Sequence, residues 1–111
     1  MKNRIERINK LIKEKIAEIL LKEIFVENGL ITVQGADTTK DLKYTKIKIS
    51  VIPFEKSGKV LKILERNLPN IQKELNSAVK IKFVPKIIFK IDESEERIDR
   101  IDKILRKINK R

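Results

Sequence analysis

The sequence predicts an α+β fold in which three amphipathic helices cover one face of a small three-stranded sheet. Two periodicities indicate this. In three segments apolar residues recur every three or four positions, as on one face of a helix, and in three others they alternate with polar residues, as in a strand with one buried face. The 111 residues suffice for one modest core. We therefore expect a single domain over residues 1–111, in the order helix, strand, strand, kinked helix, strand, helix.

The first element is a long helix over residues 4 to 26. Asn3 and Glu6 form a capping box at its start, in which each side chain can satisfy a backbone amide near the other residue. Asn28 and Gly29 are typical of a chain that leaves a helix. The buried stripe is predicted to consist of Ile5, Ile8, Ile12, Ile16, Ile19, Leu20 and Ile24.

Two alternating segments, residues 30–37 and 43–53, predict an antiparallel hairpin. Residues typical of turns occupy positions 38–41 between them. Gly35 interrupts the first strand, and we favour a β-bulge there over a contact with a ligand. One side of the hairpin carries Ile31, Val33, Ile47, Ile49 and Val51, and the other carries Lys46, Lys48 and Ser50.

The second helix opens at Ser57 and Gly58, and its apolar pattern continues past Pro69. Proline lacks the N–H that a helix needs, and its ring clashes with the carbonyl four residues earlier. The helix must therefore kink or break near Asn67. Its stripe consists of Leu61, Leu64, Leu68, Ile71, Leu75 and Ala78.

A third strand over residues 80–92 and a third helix complete the fold. The strand has an apolar side with Ile81, Phe83, Ile87, Phe89 and Ile91, and a basic side with Lys80, Lys82, Lys86 and Lys90. Asp92 and Glu95 are predicted to cap the helix. Its inward stripe would be Ile98, Ile101, Leu105 and Ile108.

The composition argues against an enzyme. The chain has no cysteine and no histidine, which excludes disulfides, thiolate nucleophiles and imidazole acids, bases or metal ligands. Its carboxylates lie at helix starts or three to four residues from a Lys or Arg, as ordinary helix electrostatics requires. The three glycines do not form a phosphate-binding loop. We expect no catalysis, no cofactor, no metal site and no small-molecule substrate.

Nothing in the sequence predicts a membrane protein. The longest apolar runs fall far short of the roughly 20 residues that a membrane helix needs. No small-residue cleavage site follows Met1, so a secretory signal is not predicted. We expect a cytoplasmic protein.

The net charge of +11, from 27 basic and 16 acidic residues, favours a polyanionic partner. An AT-rich genome or a thermophilic lifestyle could also produce a chain rich in Lys and Ile. The distribution of charge is more informative. Both terminal segments balance their bases with acids, whereas residues 80–92 carry four lysines and one acid.

Because the helices can cover one face of the sheet, the other face should be open to solvent. Six lysines are predicted on it, without an acid among them. Lysines there could simply solvate the sheet and discourage pairing between strand edges of different molecules. Six exceed what that role needs, so we favour a binding site for a polyanion. These lysines are Lys46, Lys48, Lys80, Lys82, Lys86 and Lys90.

Two stretches of the chain contain short motifs at a defined spacing. The first, residues 31–50, opens with I-T-V, has a D-L pair at Asp41 before its second strand and ends in Ser50. The second, residues 84–92, reads V-P-x-I-x-F-x-x-D. With an opening helix that begins with Arg4 and Ile5, the order and spacing of these features cover nearly the whole chain. In this the sequence resembles the bacterial ribosome-binding factor A family.

The resemblance implies a KH-like domain of type II, in which a kinked helix replaces the usual glycine loop. It also implies binding to free small ribosomal subunits through their ribosomal RNA and help with late maturation, including processing near the 5′ end of that RNA. The family usually kinks its second helix at Ala-x-Gly, where this chain has Asn67, Leu68 and Pro69. The kink is thus expected to be kept by different chemistry. The protein is expected to be a monomer when free.

Two clusters are candidates for the RNA contact, and the sequence does not decide between them. One comprises the six lysines on the sheet. The other lies beside the kink, where KH domains bind RNA, and comprises Arg66, Asn67, Lys73 and Asn76. We expect phosphate contact and shape reading, with base stacking minor because most of the five aromatic residues have the parity of core positions. The alternative function is a protein-interaction module that uses its amphipathic helices.

Overall fold

A computed structural model describes residues 3–94. Its helices are α1 (Arg4–Glu23), α2 (Ser57–Arg66) and α3 (Leu68–Ala78), and its strands are β1 (Leu30–Thr38), β2 (Tyr44–Ile52) and β3 (Lys86–Ile91). A short 3-10 helix, Phe54–Lys56, precedes α2. The predicted α+β order, including the type II KH-like arrangement, is confirmed within these residues. The predicted third helix, with its stripe at positions 98–108, lies outside them.

The sheet has the order β1-β2-β3, with β1 antiparallel and β3 parallel to β2. Its inward positions join the helices in one core because alternate residues of a strand point to the same side. Thr45 is also fully buried on that side. The core comprises Ile8, Ile12, Ile16, Ile19, Leu20, Ile47, Ile49, Val51, Val60, Leu64, Ile71, Leu75, Val79, Ile87 and Phe89.

The predicted bulge in β1 is confirmed one residue before Gly35. Val33 pairs with Ile49, and Gly35 pairs with Lys48, so that Gln34 is the extra residue. A single extra residue changes the parity of the strand. As a result the inward side of β1 changes from odd to even positions, and Thr38 becomes buried, where its hydroxyl donates to Thr45 Oγ1 at 3.1 Å.

The first helix is shorter than predicted and ends at Glu23 instead of residue 26. Ile24 is extended, with φ −117° and ψ 123°, and its N–H donates to Leu20 O. Beyond it Ile24 and Val26 are partly buried while Phe25 is exposed. This alternation suits an extended segment and not a continued helix.

The break predicted near Asn67 is confirmed, since α2 ends at Arg66 and α3 begins at Leu68. Asn67 has φ −93° and ψ 3°, and its side-chain Nδ2 donates to Ile63 O at 2.7 Å. Pro69 lies in the first turn of α3, where a missing N–H has no cost.

The third strand begins at Lys86 and not at Lys80 as predicted. The reason is the length of its partner, because β2 begins at Tyr44, which is in register with Lys86. Residues before Lys86 therefore have no neighbouring strand to bond with, and residues 79–85 form a loop. Pro85, which has no N–H to donate, is buried immediately before the strand.

Candidate nucleic-acid interface

Four of the predicted lysines share the open side of the sheet, and we call them the lysine face. All four are exposed, because the alternate positions of the same strands are buried against the helices. Lys48 of β2 is directly in register with Lys90 of β3. Adjacent strands lie about 4.8 Å apart, so these ammonium groups are neighbours. The lysine face consists of Lys46, Lys48, Lys86 and Lys90.

The lysines of the lysine face repel one another, and a bound anion would reduce that repulsion. Like charges on directly opposed strand positions are unfavourable. One carboxylate of β1 reaches this side, since Asp37 is in register with Lys46. A second acid lies at the far end of β3, where the hydroxyl of Ser94, its backbone N–H and, to a smaller extent, the charge of Lys48 lower the pKa of Asp92. Among residues 3–94 these two acids lie at the margins of the lysine face, and the four lysines between them are exposed to phosphate groups.

Lys80 and Lys82 are not on the sheet, contrary to prediction. Both are exposed in the loop of residues 79–85, because that segment lacks a partner strand. Lys82 Nζ lies 5.5 Å from the centroid of the Phe83 ring, a cation–π distance. These lysines adjoin the start of β3 but do not extend its basic side.

The expectation that most aromatic residues are in the core is wrong. Phe83 is 72% exposed, Phe25 83% and Tyr44 44%, whereas Phe89 is buried. The alternating pattern predicts Phe83 on the apolar side of a strand. It lies instead in the loop of residues 79–85, where alternation does not determine burial. Tyr44 shares the even parity of Lys46 and Lys48, so the sequence did contain a signal for its exposure.

The cluster beside the kink lies on the helical side of the molecule, away from the lysine face. Arg66 and Lys73 are exposed there. The amides are partly engaged within the protein: Asn67 Nδ2 donates to Ile63 O, and Asn76 Oδ1 accepts from Gln72 Nε2 at 3.0 Å. The fold therefore separates the two predicted clusters instead of joining them in one surface.

The part of the chain that the structure describes offers no group of three or more metal-ligating residues. Within it no helix is long and apolar enough to cross a membrane.

The chain is similar to known proteins along nearly its whole length. The family model for ribosome-binding factor A matches residues 4–105. Ribosome-binding factor A of Clostridium acetobutylicum is 37% identical over 110 residues, which cover 96% of this chain and 91% of that protein. The same factor of Desulforamulus reducens is 32% identical over 111 residues, covering 98% and 92%.

Two structural neighbours come from Thermus thermophilus. The crystal structure of its ribosome-binding factor A superposes with a TM-score of 0.67 at 19% identity, covering 80% of this chain and 97% of that chain. A homology model of that factor, fitted into an electron cryo-microscopy map of a complex with the 30S subunit, gives a TM-score of 0.64 at 19% identity, covering 84% and 97%. At this identity the likeness shows the fold.

Proposed function

The chain belongs to the ribosome-binding factor A family, and we propose that it binds free small ribosomal subunits through their ribosomal RNA. In this role it assists late maturation of the subunit, including processing near the 5′ end of the RNA. It acts as a cytoplasmic monomer without catalysing a reaction itself. The Thermus thermophilus factor in complex with the 30S subunit supports the choice of partner.

The observation that supports a contact with RNA is the lysine face. The phosphodiester backbone of RNA can neutralise several ammonium groups at once, and release of the counterions condensed on it makes each contact favourable. Lysines meet phosphates as point charges, so contacts of this kind do not read the base sequence. Recognition of this kind depends on the shape of the RNA and on where its phosphates lie.

Sedimentation tests the partner directly. The purified protein should co-sediment with isolated 30S subunits through a sucrose gradient at low salt, and raising the salt should release it. Intact 70S ribosomes and 50S subunits are the controls, and neither should carry it. Absence of the protein from the 30S fraction at low salt would contradict the proposal.

The role in maturation needs a separate experiment. Cells depleted of the protein should accumulate small-subunit RNA that retains extra nucleotides at its 5′ end, detected by primer extension. Expression of the unmodified chain should restore the mature end. A normal 5′ end in depleted cells would contradict the role in RNA processing and would leave only the binding to small subunits.

A protein-interaction module is the second candidate, and one apolar surface favours it. Leu21 and Phe25 are 88% and 83% exposed where α1 ends. Together with exposed Leu30 at the start of β1, they line one surface cavity. Replacing Leu21 and Phe25 with Ser should leave 30S binding unchanged if RNA is the partner. If this variant loses 30S binding while the lysine face is intact, the helix end contacts a protein.

A further inference from the structure

A cleft at one end of the sheet combines exposed aromatic rings with cationic side chains. It lies between the first turn of α1, the β1–β2 turn and the loop of residues 79–85, and its volume is about 560 Å³. This is within the range of sites that hold small organic groups. The apolar part of its lining consists of Ile8, Leu42, Tyr44, Ile81, Phe83 and Val84.

The two rings line the same cleft, and exposed apolar groups that are grouped together mark a binding site in a way that single exposed residues do not. Phe83 is 72% exposed and Tyr44 44%. An exposed ring presents a flat face on which another flat ring can stack. Lys82 lies 5.5 Å from the centroid of the Phe83 ring, so a positive charge already adjoins that aromatic surface.

The charged part of the lining indicates that the ligand is an anion. It contributes four cations, Arg4, Lys43, Lys82 and Lys86, against the single carboxylate of Asp41. That carboxylate is partly neutralised within the turn, since its Oδ1 accepts from Thr39 Oγ1 at 2.6 Å and from Lys43 N at 3.1 Å. A ligand that satisfies both the rings and the cations has a flat ring joined to phosphate, which is a nucleotide.

The cleft continues directly from the lysine face. Tyr44 is in register with Lys86, which belongs to both surfaces. The next two pairs on the same side of the sheet are Lys46 with Ile88 and Lys48 with Lys90. An RNA backbone lying along these lysines would thus reach the cleft at the start of β2 and β3.

We propose that this cleft binds one unpaired base of the RNA. The base stacks on Phe83 or Tyr44, and its flanking phosphates contact Arg4, Lys43 and Lys86. The site rests on the proposed function and adds to it a contact with a base where the lysine face contacts phosphates alone. Because every base has a flat aromatic face, the site tolerates any sequence but requires an unpaired nucleotide.

The test measures the contribution of the base to the affinity separately from that of the phosphates. Affinities are measured by fluorescence anisotropy for an oligouridylate of about 12 nucleotides and for a base-free ribose-phosphate chain of equal length. Removal of the ring on which the base stacks, by Phe83→Ala or by Tyr44→Ala, should weaken binding of the oligouridylate by about 5- to 150-fold. Neither should change binding of the base-free chain. Tyr44→Phe, which retains the ring, should keep the affinity for both.

Phe25→Ala is the matched control, since Phe25 is an exposed ring that does not line the cleft. It should leave both affinities unchanged, and circular dichroism should show that all variants are folded. Equal losses on the two chains, or losses no larger than that of Phe25→Ala, would overturn the base site. So would unmodified protein that binds 30S subunits but shows no preference for the base-bearing chain.

Two outcomes distinguish the base site from the function on which it rests. If the unmodified protein binds neither the oligouridylate nor 30S subunits, both are wrong. If Phe83→Ala and Tyr44→Ala keep their affinity for RNA but no longer co-sediment with 30S subunits, the cleft contacts a ribosomal protein. In that case the base site is wrong, while binding to the small subunit stands.

Discussion

Gln72 of α3 extends the hydrogen bonding of the sheet, because its Oε1 accepts from the backbone N–H of Ile87 at 2.9 Å. Its Nε2 donates to Pro85 O at 3.1 Å. The side-chain amide therefore pairs with the free edge of β3 as another strand would, and it fixes α3 against the point where β3 begins.

Replacing Gln72 with Ala should lower the free energy of unfolding by about 1 to 3 kcal/mol, because it leaves the N–H of Ile87 and the carbonyl of Pro85 without their partner. Urea denaturation measures the change. Asn70→Ala, an exposed position on the same helix, should be nearly neutral. Equal stabilities of the two variants would mean that water replaces the amide without cost.

Pro69→Ala should leave the break between α2 and α3 in place. Asn67 closes α2 with its own side chain, and Leu64 and Ile71 are fully buried on the two sides of the break. The expected loss of stability is about 1 kcal/mol or less, from greater freedom of the unfolded chain. Backbone NMR shifts should still show an interruption of the helix at Asn67, and a continuous helix from α2 into α3 in the variant would assign the break to proline alone.

Replacing the four lysines of the lysine face with Gln should flatten the slope of log affinity for RNA against log salt. Each phosphate contact contributes roughly 0.7 for single strands and 0.9 for duplexes, so the change should be about three units if all four make contact. The matched control replaces Lys10, Lys13, Lys59 and Lys62, which are exposed on α1 and α2. Equal changes in slope would show that net charge alone matters.

The cluster beside the kink should contribute less than the lysine face. We expect Arg66→Gln with Lys73→Gln to weaken RNA binding less than Lys48→Gln with Lys90→Gln, which removes the same charge from two residues in register. The physical reason is that adjacent cations reinforce one another at a phosphate chain. A larger loss from the kink pair, measured at the same salt concentration, would move the main contact to the helical side.

The pKa of Asp41, in the turn beside the cleft, should depend on the hydroxyl of Thr39. The Thr39 hydroxyl and then the Lys43 N–H lower the pKa of Asp41 below its ordinary value of 3.8. A lowered pKa in the folded state stabilises the protein above that ordinary value, and the stabilisation is lost as the pH falls through the folded-state pKa. Thr39→Ala should therefore raise the pKa of Asp41 toward 3.8 in an NMR titration, while the pKa of Asp92 stays lowered.

The prediction of the sheet shows where sequence periodicity is reliable. Buried Ile47 and Ile49 alternate with exposed Lys46 and Lys48, and both the strand and its basic side followed from that pattern alone. The break at Asn67 followed from the chemistry of Pro69. In each case the cause is local, because a strand alternates its faces and a proline lacks its N–H whatever surrounds them.

Within residues 3–94, the amino-acid sequence by itself determined the order of the elements, the buried side of β2 and the basic side that β2 and β3 share. The tertiary structure decided where β3 begins, and thereby removed Lys80 and Lys82 from the sheet and placed Phe83 in a cleft with Tyr44. The physical reason is that apolar and polar residues alternate in the sequence from residue 80 onward, whereas a strand also needs a neighbouring strand to accept and donate its backbone hydrogen bonds. In the described part of the chain no such partner exists before Lys86, because β2 begins at Tyr44, which is in register with Lys86.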